Sequence, residues 1–161
     1  MRTNTAKAKL AEGKVVFGAI ISRHAPDLVE LFGAIGYDFV MIDGEHGPMS
    51  LDEVEHMVRA AESFGITPIT RIPNHEDSTI LRYLDRGVQG IIVPHVTTAD
   101  EARAIVRAAH YPPAGARSLG VARAQGYGGR LADAVARDNG RIAVVAQVEH
   151  VDGVANIAEI V

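Results

Sequence analysis

Residues 39–48 read FVMIDGEHGP, a stretch in which an apolar run stops abruptly at two carboxylates and an imidazole. The apolar residues predict a buried strand, and the polar residues predict a turn at its carboxyl end. In barrels of alternating strands and helices, side chains at the carboxyl ends of the strands form the active site. The stretch therefore favours catalysis at this edge, with an ordinary polar turn after a strand as the alternative.

Short runs rich in valine and isoleucine recur on both sides of this stretch and predict five buried parallel strands. They cover residues 15–21, 39–42, 66–72, 90–96 and 142–148. Patterns typical of amphipathic helices lie between them. They cover residues 26–35, 51–64 after the N-cap Ser50, 78–86, 99–110 and, more briefly, 131–137. The chain is thus predicted to alternate strands with helices.

The spacing of the first four predicted strands, roughly 25 residues, suits a (β/α)₈ TIM barrel, whose eight units occupy about 250 residues. Because the chain has 161 residues, we expect one α/β barrel domain over residues 1–161 that covers about the first five units and lacks its C-terminal part. The alternative is an open parallel sheet of five strands with helices on both faces. The sequence lacks a Gly-x-Gly-x-x-Gly motif after the first predicted strand, which weakens a dinucleotide-binding version of that alternative.

Composition narrows the class of function. Hydrophobic residues make up 47% and charged residues 22% of the chain, which is typical of a globular protein. The net charge is −4 and the arginines are scattered among acids, so no basic surface for nucleic acid is expected. No apolar segment approaches the roughly 20 residues of a membrane helix, and cysteine is absent. We expect a cytoplasmic protein that acts on a small molecule, with any metal held by oxygen or nitrogen.

The fifth predicted strand ends in polar residues. Two-residue alternation places Val145, Gln147 and Glu149 on one face. A carboxylate and an amide that point inward from a buried strand need a polar partner. A hard divalent cation such as Mg²⁺ or Mn²⁺ fits Glu149, and an ion pair with an arginine is the alternative.

Three further side chains are predicted at the carboxyl ends of the strands, which form the mouth of the barrel. Arg71 closes the third predicted strand, where its guanidinium would bind a carboxylate or stabilise an enolate oxygen. Pairing with Asp43 or Glu45 is the equally weighted alternative. His46 is a candidate general base because the histidine pKa lies near neutrality. His95 lies at the end of the fourth predicted strand, where it would face the mouth, and is a candidate site residue of second rank.

Lysine placement excludes one mechanism. The only lysines are Lys7, Lys9 and Lys14, all before the first predicted strand. No predicted strand end in this segment therefore offers the amine that a Schiff-base enzyme needs, and a carbanion formed here would need a metal instead.

Several motifs follow one another along the chain at residues 39–48, 70–73, 84–90, Pro94, 111–117 and 146–149. Taken in this order, they resemble the HpcH/HpaI family of class II pyruvate aldolases. The resemblance implies a (β/α)₈ barrel that cleaves or forms 4-hydroxy-2-oxo acids, giving pyruvate and an aldehyde through a metal-stabilised enolate. It also implies a divalent metal (Mg²⁺, Mn²⁺ or Co²⁺), a role in the catabolism of aromatic compounds, and a homo-oligomer such as a hexamer.

The resemblance also assigns roles to residues of this chain. It implies Glu149 as metal ligand, Gln147 as substrate contact, His46 as base, Asp85 as the partner that raises its basicity, Arg71 as enolate stabiliser, and Asp43 and Glu45 beside a metal-bound water. A second metal carboxylate, an aspartate, is expected in a segment after Val161, and an apolar residue is expected where His95 stands. An acyl-coenzyme A lyase related to the citrate lyase β subunit and a non-catalytic barrel segment that binds a 2-oxo acid remain alternatives.

Overall fold

A computed structural model describes residues 3–129 and 131–161 of the chain. The strands of its parallel sheet are β1 (Gly18–Ile21), β2 (Phe39–Asp43), β3 (Thr67–Arg71), β4 (Gly90–Val93) and β5 (Ala143–Ala146). The α-helices are α1 (Thr5–Ala11), α2 (Pro26–Ala34), α3 (Leu51–Phe64), α4 (Asp77–Asp85), α5 (Ala99–Ala109), α6 (Leu131–Arg141), α7 (Val151–Ala155) and α8 (Ile157–Ile160). The strand-helix alternation predicted from the sequence is confirmed.

The strand order settles which α/β architecture the chain adopts. Within the described residues the strands follow one another across the sheet as β1-β2-β3-β4-β5, and each neighbouring pair is parallel. Crossover connections between parallel strands are almost always right-handed, so an order that never reverses puts every connecting helix on the same face. This arrangement is that of a TIM barrel. The alternative with helices on both faces requires a reversal of strand order and is wrong.

Burial differs between the two faces of the sheet. The face that packs against the helices carries apolar side chains that are between 0% and 3% exposed: Ile21, Val40, Ile42, Ile91 and Val93. On the opposite face, Ile20 is 70% exposed and Val145 is 43% exposed. The core of the described chain therefore lies between one sheet face and one layer of helices, and the other face corresponds to the interior of a barrel.

Local sequence signals set where two of the helices begin. Ser50 accepts a hydrogen bond from the backbone of Glu53, whose carboxylate accepts one from the backbone of Ser50. Thr98 and Glu101 form the same reciprocal pair at the start of α5. These capping boxes satisfy amides that lack partners at a helix start. The beginnings predicted at Leu51 and Ala99 are confirmed for this reason.

The strands are shorter than the predicted apolar runs. In the fourth, pairing ends at Val93 because Pro94 has no backbone N–H to donate and His95 has a positive φ of 59°. In the first, Val15 is 74% exposed and Phe17 is 68% exposed, outside the strand that begins at Gly18. Hydrophobicity alone marked residues that lie beyond the hydrogen-bonded ladder.

The first helix was not predicted, because the segment is polar and basic. Asn4 caps α1 by accepting a hydrogen bond from the backbone of Lys7. Its side-chain amide donates to the carbonyl oxygens of Gln89 at 2.8 Å and Arg141 at 2.9 Å, just before β4 and β5. The cap thus attaches α1 to the amino ends of the strands, opposite the predicted mouth. None of the described helices is long and apolar enough to cross a membrane.

Candidate active site

Polar side chains from four neighbouring strands meet at the carboxyl edge of the sheet. Asp43 is the last residue of β2 and Arg71 the last residue of β3. His95 follows β4, and Glu149 follows β5. Because the strands are parallel and adjacent, residues distant in sequence are brought to one place.

Arg71 and Asp43 form a two-pronged ion pair. The Nε and Nη2 atoms of Arg71 donate to the two carboxylate oxygens of Asp43 at 3.0 and 2.7 Å. Burial acts to raise the pKa of Asp43, but the hydrogen bonds from Arg71 and from the backbone amides of His46 and Glu45 outweigh it, so the pKa lies below its ordinary value. The pair is therefore ionised at neutral pH. This ion pair is the alternative to a catalytic role that the sequence analysis gave for Arg71.

Glu45 lies between Arg71 and His95 and contacts both side chains. Its Oε2 atom lies 3.2 Å from Nε of Arg71, and its Oε1 atom lies 3.4 Å from Nε2 of His95. The side chain is only 11% exposed. Oε2 is buried and has no hydrogen bond of normal geometry among the described residues, although it is ion-paired with Arg71. Oε1 is therefore the oxygen of Glu45 that is turned toward His95 and a further cation.

Glu149 is held by two donors. Gln147 donates from Nε2 to Oε2 of Glu149 at 2.6 Å, and the backbone N–H of His95 donates to Oε1 at 3.0 Å. These hydrogen bonds, with Gln147 the larger cause, keep the pKa of Glu149 below its ordinary value. Gln147 and Glu149 therefore do point the same way, as the alternation predicted, although both lie after the last residue of β5.

These groups fit a divalent metal. One ligand atom each from Glu45, His95 and Glu149 can be chosen so that all lie within 4.8 Å of one another. Two carboxylates and an imidazole suit Mg²⁺, Mn²⁺ or Co²⁺. The family resemblance implied a place for Glu45 beside a metal-bound water, and the sequence ranked His95 as a candidate of second rank. Their proximity depends on β2 and β4 ending at one edge.

His46 lies near this cluster, but its side chain is largely exposed. Its side chain is 71% exposed, and Nε2 lies 4.0 Å from the Oε2 atom of Glu45. Its backbone N–H donates to Asp43 at 3.2 Å, which fixes the turn that carries the imidazole. The predicted base therefore faces solvent at the mouth, and its role stays a prediction.

Asp85 lies elsewhere in a single copy of the chain. It ends α4, which starts after the carboxyl end of β3 and returns toward the amino end of β4. Its described partners are Arg117, which donates at 2.8 Å, and Gln125, which donates at 3.2 Å. The predicted support of His46 by Asp85 is thus not among the described contacts, because the helix carries Asp85 toward the opposite end of the sheet.

A buried polar network surrounds Asp85 and was not foreseen from the sequence. Arg117 has a fully buried side chain and lies over the ring of Tyr111, 4.6 Å from its centroid. Gln125 donates to the hydroxyl of Tyr111 at 2.6 Å, and burial raises the pKa of that hydroxyl. A buried arginine needs an acid partner, so Asp85 acts as a structural counter-ion within the described chain.

Comparison with known proteins identifies the family of the chain. Residues 17–161 match the family described as HpcH/HpaI aldolase/citrate lyase. The chain is 44% identical over 161 residues to a 4-hydroxy-2-oxovalerate aldolase of Novosphingobium aromaticivorans, covering 98% of this chain and 60% of that protein. It is 38% identical over 161 residues to a hydroxypyruvate/pyruvate aldolase of Roseobacter denitrificans, covering 96% of this chain and 60% of that one.

A solved structure shows the same fold. It is a HpcH/HpaI aldolase/citrate lyase family protein from Burkholderia cenocepacia J2315, with a TM-score of 0.91 and 30% identity. The match covers 98% of this chain and 64% of that one. The chain thus spans about 60% of the length of the curated relatives it matches. With the family match over nearly all of its length, the chain belongs to the HpcH/HpaI aldolase/citrate lyase family.

Proposed function

We propose that the protein is a class II pyruvate aldolase, a carbon-carbon lyase that cleaves or forms 4-hydroxy-2-oxo acids. The observation that carries the proposal is the cluster of Glu45, His95 and Glu149 beside Arg71 at the carboxyl edge of the sheet. The names of the similar proteins, which are aldolases of 2-oxo acids, support it. We further propose that residues 1–161 form the first five units of one barrel domain, in agreement with the uncovered sheet face.

The metal would be held by Glu149, with Glu45 and His95 nearby, and when bound it would act as a Lewis acid on the 2-oxo acid. Gln147 orients the Glu149 carboxylate through its hydrogen bond and would contact the substrate. Arg71 keeps a positive charge at the mouth, since the hydrogen bond to Asp43 raises its pKa.

In the cleavage direction, the chain's own residues would move one proton and stabilise one charge. His46 would accept the proton of the 4-hydroxyl group while the C3–C4 bond breaks. The electron pair of that bond forms the C2–C3 double bond, and the carbonyl pair moves onto the 2-oxo oxygen, where the guanidinium of Arg71 would stabilise the negative charge. Aldehyde leaves, a proton from water adds at C3 to give pyruvate, and His46 would return its proton to solvent. His46 suits the first step because its imidazole is open to the mouth.

Two alternatives are less well supported. An acyl-coenzyme A lyase would need a site for the coenzyme, and the sequence offers no convincing one. A segment that only binds a 2-oxo acid would not need a base at the mouth. The cytoplasmic location, the homo-oligomeric or hexameric assembly, the role in the catabolism of aromatic compounds and the particular metal stay predictions.

Exchange of the methyl protons of pyruvate for deuterium tests the proposal. The full-length protein should catalyse exchange with Mg²⁺ or Mn²⁺ and stop when a chelator is added. Glu149→Gln should abolish exchange, and His46→Ala should slow the cleavage of a 4-hydroxy-2-oxo acid. Glu159→Gln, which alters an exposed acid in α8, is the matched control and should behave as wild type. Exchange that persists in chelator, or that is absent from the folded protein, would refute the aldolase assignment.

A further inference from the structure

We propose that His95 is a nitrogen ligand of the metal and shifts the metal preference of this enzyme toward Mn²⁺ and Co²⁺ over Mg²⁺; this inference rests on the function proposed above. His95 stands where the family resemblance leads one to expect an apolar residue.

The position of the imidazole between two carboxylates is the first argument. Its Nδ1 atom lies 3.1 Å from Oε1 of Glu149, and its Nε2 atom lies 3.4 Å from Oε1 of Glu45. Coordination through one ring nitrogen leaves the other facing a carboxylate that can accept its proton. A histidine whose second nitrogen is held in this way has a fixed tautomer and orientation, which is the usual arrangement in metal sites.

The backbone at His95 is the second argument. Its φ of 59° lies in the left-handed region, which few residues other than glycine adopt. Two hydrogen bonds hold this conformation: the N–H of His95 donates to Glu149, and the N–H of Val96 donates to the carbonyl of Gln147 at 3.2 Å. An unfavourable conformation that is held by the ligand-bearing segment indicates that the direction of the imidazole matters.

The donor set is the third argument. Glu45 turns its Oε1 atom toward His95, and Glu149 is oriented by Gln147. Adding an imidazole gives two oxygen donors and one nitrogen donor. Nitrogen donors favour Mn²⁺ and, more strongly, Co²⁺ relative to Mg²⁺, which prefers oxygen and water.

Pulsed electron paramagnetic resonance of the full-length protein loaded with Mn²⁺ tests the inference directly. Wild type should show a coupling between Mn²⁺ and one histidine nitrogen, which changes when the histidines are labelled with ¹⁵N. His95→Asn should lose the coupling. Asparagine tolerates a positive φ, so the backbone of this variant should be preserved, and circular dichroism and thermal unfolding check that it is.

Metal affinity provides a second readout. His95→Asn should weaken Co²⁺ binding roughly tenfold or more, as loss of even an outer partner of a ligand does, and should weaken Mg²⁺ binding much less. His46→Ala is the matched control, because His46 is the other imidazole beside Glu45. It should keep both the nitrogen coupling and the Co²⁺ affinity.

The outcomes separate this inference from the proposed function. If wild type binds Mn²⁺ through Glu149 but shows no nitrogen coupling, or if His95→Asn keeps the coupling, His95 is only a charged neighbour of the carboxylates and the inference is wrong. If wild type binds no metal, or if Glu149→Gln binds it as tightly as wild type, the proposed function itself fails.

Discussion

At the scale of single residues, the candidate site depends on which polar atoms are already satisfied. Asp43 is saturated by Arg71 and by two backbone amides. Glu45 and Glu149, in contrast, each keep oxygen atoms that face His95. A saturated carboxylate makes a poor metal ligand, because binding a cation would break existing charge-assisted hydrogen bonds. We therefore propose that Asp43 supports Arg71, and that the metal is held by Glu149 with Glu45 nearby.

This division of roles predicts the effect of Arg71→Lys. An ammonium cannot reproduce the two parallel hydrogen bonds of a guanidinium to Asp43, nor its place at the mouth. We expect kcat for the cleavage of a 4-hydroxy-2-oxo acid to fall by about 10²- to 10³-fold, the usual cost of losing an oxyanion donor. Steady-state kinetics measure it. Arg103→Lys, which alters an exposed pair with Asp100, should leave kcat unchanged. If Arg71→Lys also leaves kcat unchanged, Arg71 is structural.

At the scale of elements, buried polar contacts fasten loops and helices to the amino end of the sheet. Asp38, just before β2, accepts from the ammonium of Lys9 in α1 and from the backbone N–H of Phe17 at 2.9 Å. Asp38 is only 9% exposed, whereas the side chain of Lys9 is 48% exposed. The hydrogen bond from Lys9 is the largest cause of a pKa below the ordinary value of 3.8.

Asp38→Asn should therefore destabilise the protein. An amide has one acceptor oxygen and no charge, so either the hydrogen bond from Phe17 or the ion pair with Lys9 is lost. Because Lys9 is 48% exposed and can turn to water, we expect a loss of about 1 kcal/mol. Urea unfolding at neutral pH measures the loss. Asp100→Asn is the control, because Asp100 is 93% exposed and its replacement should have little effect. Equal stability of Asp38→Asn and wild type would show that α1 is not fastened through this residue.

The ion pair of Asp38 and Lys9 should make the free energy of unfolding depend on pH. Because the folded pKa of Asp38 lies below its unfolded value, its ionised form stabilises the folded state at pH values above the unfolded pKa. The contribution is lost as the pH falls below 3.8 and through the folded pKa. The difference in unfolding free energy between wild type and Asp38→Asn should shrink over that acidic range.

At the scale of the whole molecule, the proposed metal would join parts of the chain that are far apart in sequence. Glu45, His95 and Glu149 follow β2, β4 and β5. A ligand that binds only the folded state stabilises it, by about 2.7 kcal/mol when its free concentration is 100 times Kd. Metal binding and global stability should therefore be linked.

Thermal unfolding with and without metal checks this link. Mn²⁺ should raise the Tm of the full-length protein, and a chelator should return it to the metal-free value. Glu149→Gln should unfold at the same Tm with and without Mn²⁺, while the control Glu159→Gln should show the wild-type increase. A metal-induced increase that survives in Glu149→Gln would place the metal elsewhere.

Prediction from sequence succeeded where local pattern carries the information. The capping residues Ser50 and Thr98 marked helix starts, and the alternation after β5 put Gln147 and Glu149 together. It failed where a contact depends on distant parts of the chain. Asp85 gave no local sign that its partners would be Arg117 and Gln125. The polar segment that forms α1 likewise gave no sign of the carbonyl oxygens that Asn4 binds.

The sequence by itself determined the alternation of strands and helices and the polar turn after β2, because each is a property of neighbouring residues. It also determined that no strand end in this segment carries a lysine. Only the tertiary structure decided that the helices lie on one face of the sheet and that Glu45, His95 and Glu149 share a site. The physical reason is the parallel register: it brings the ends of adjacent strands to one edge, where residues more than a hundred positions apart come within reach of one ion.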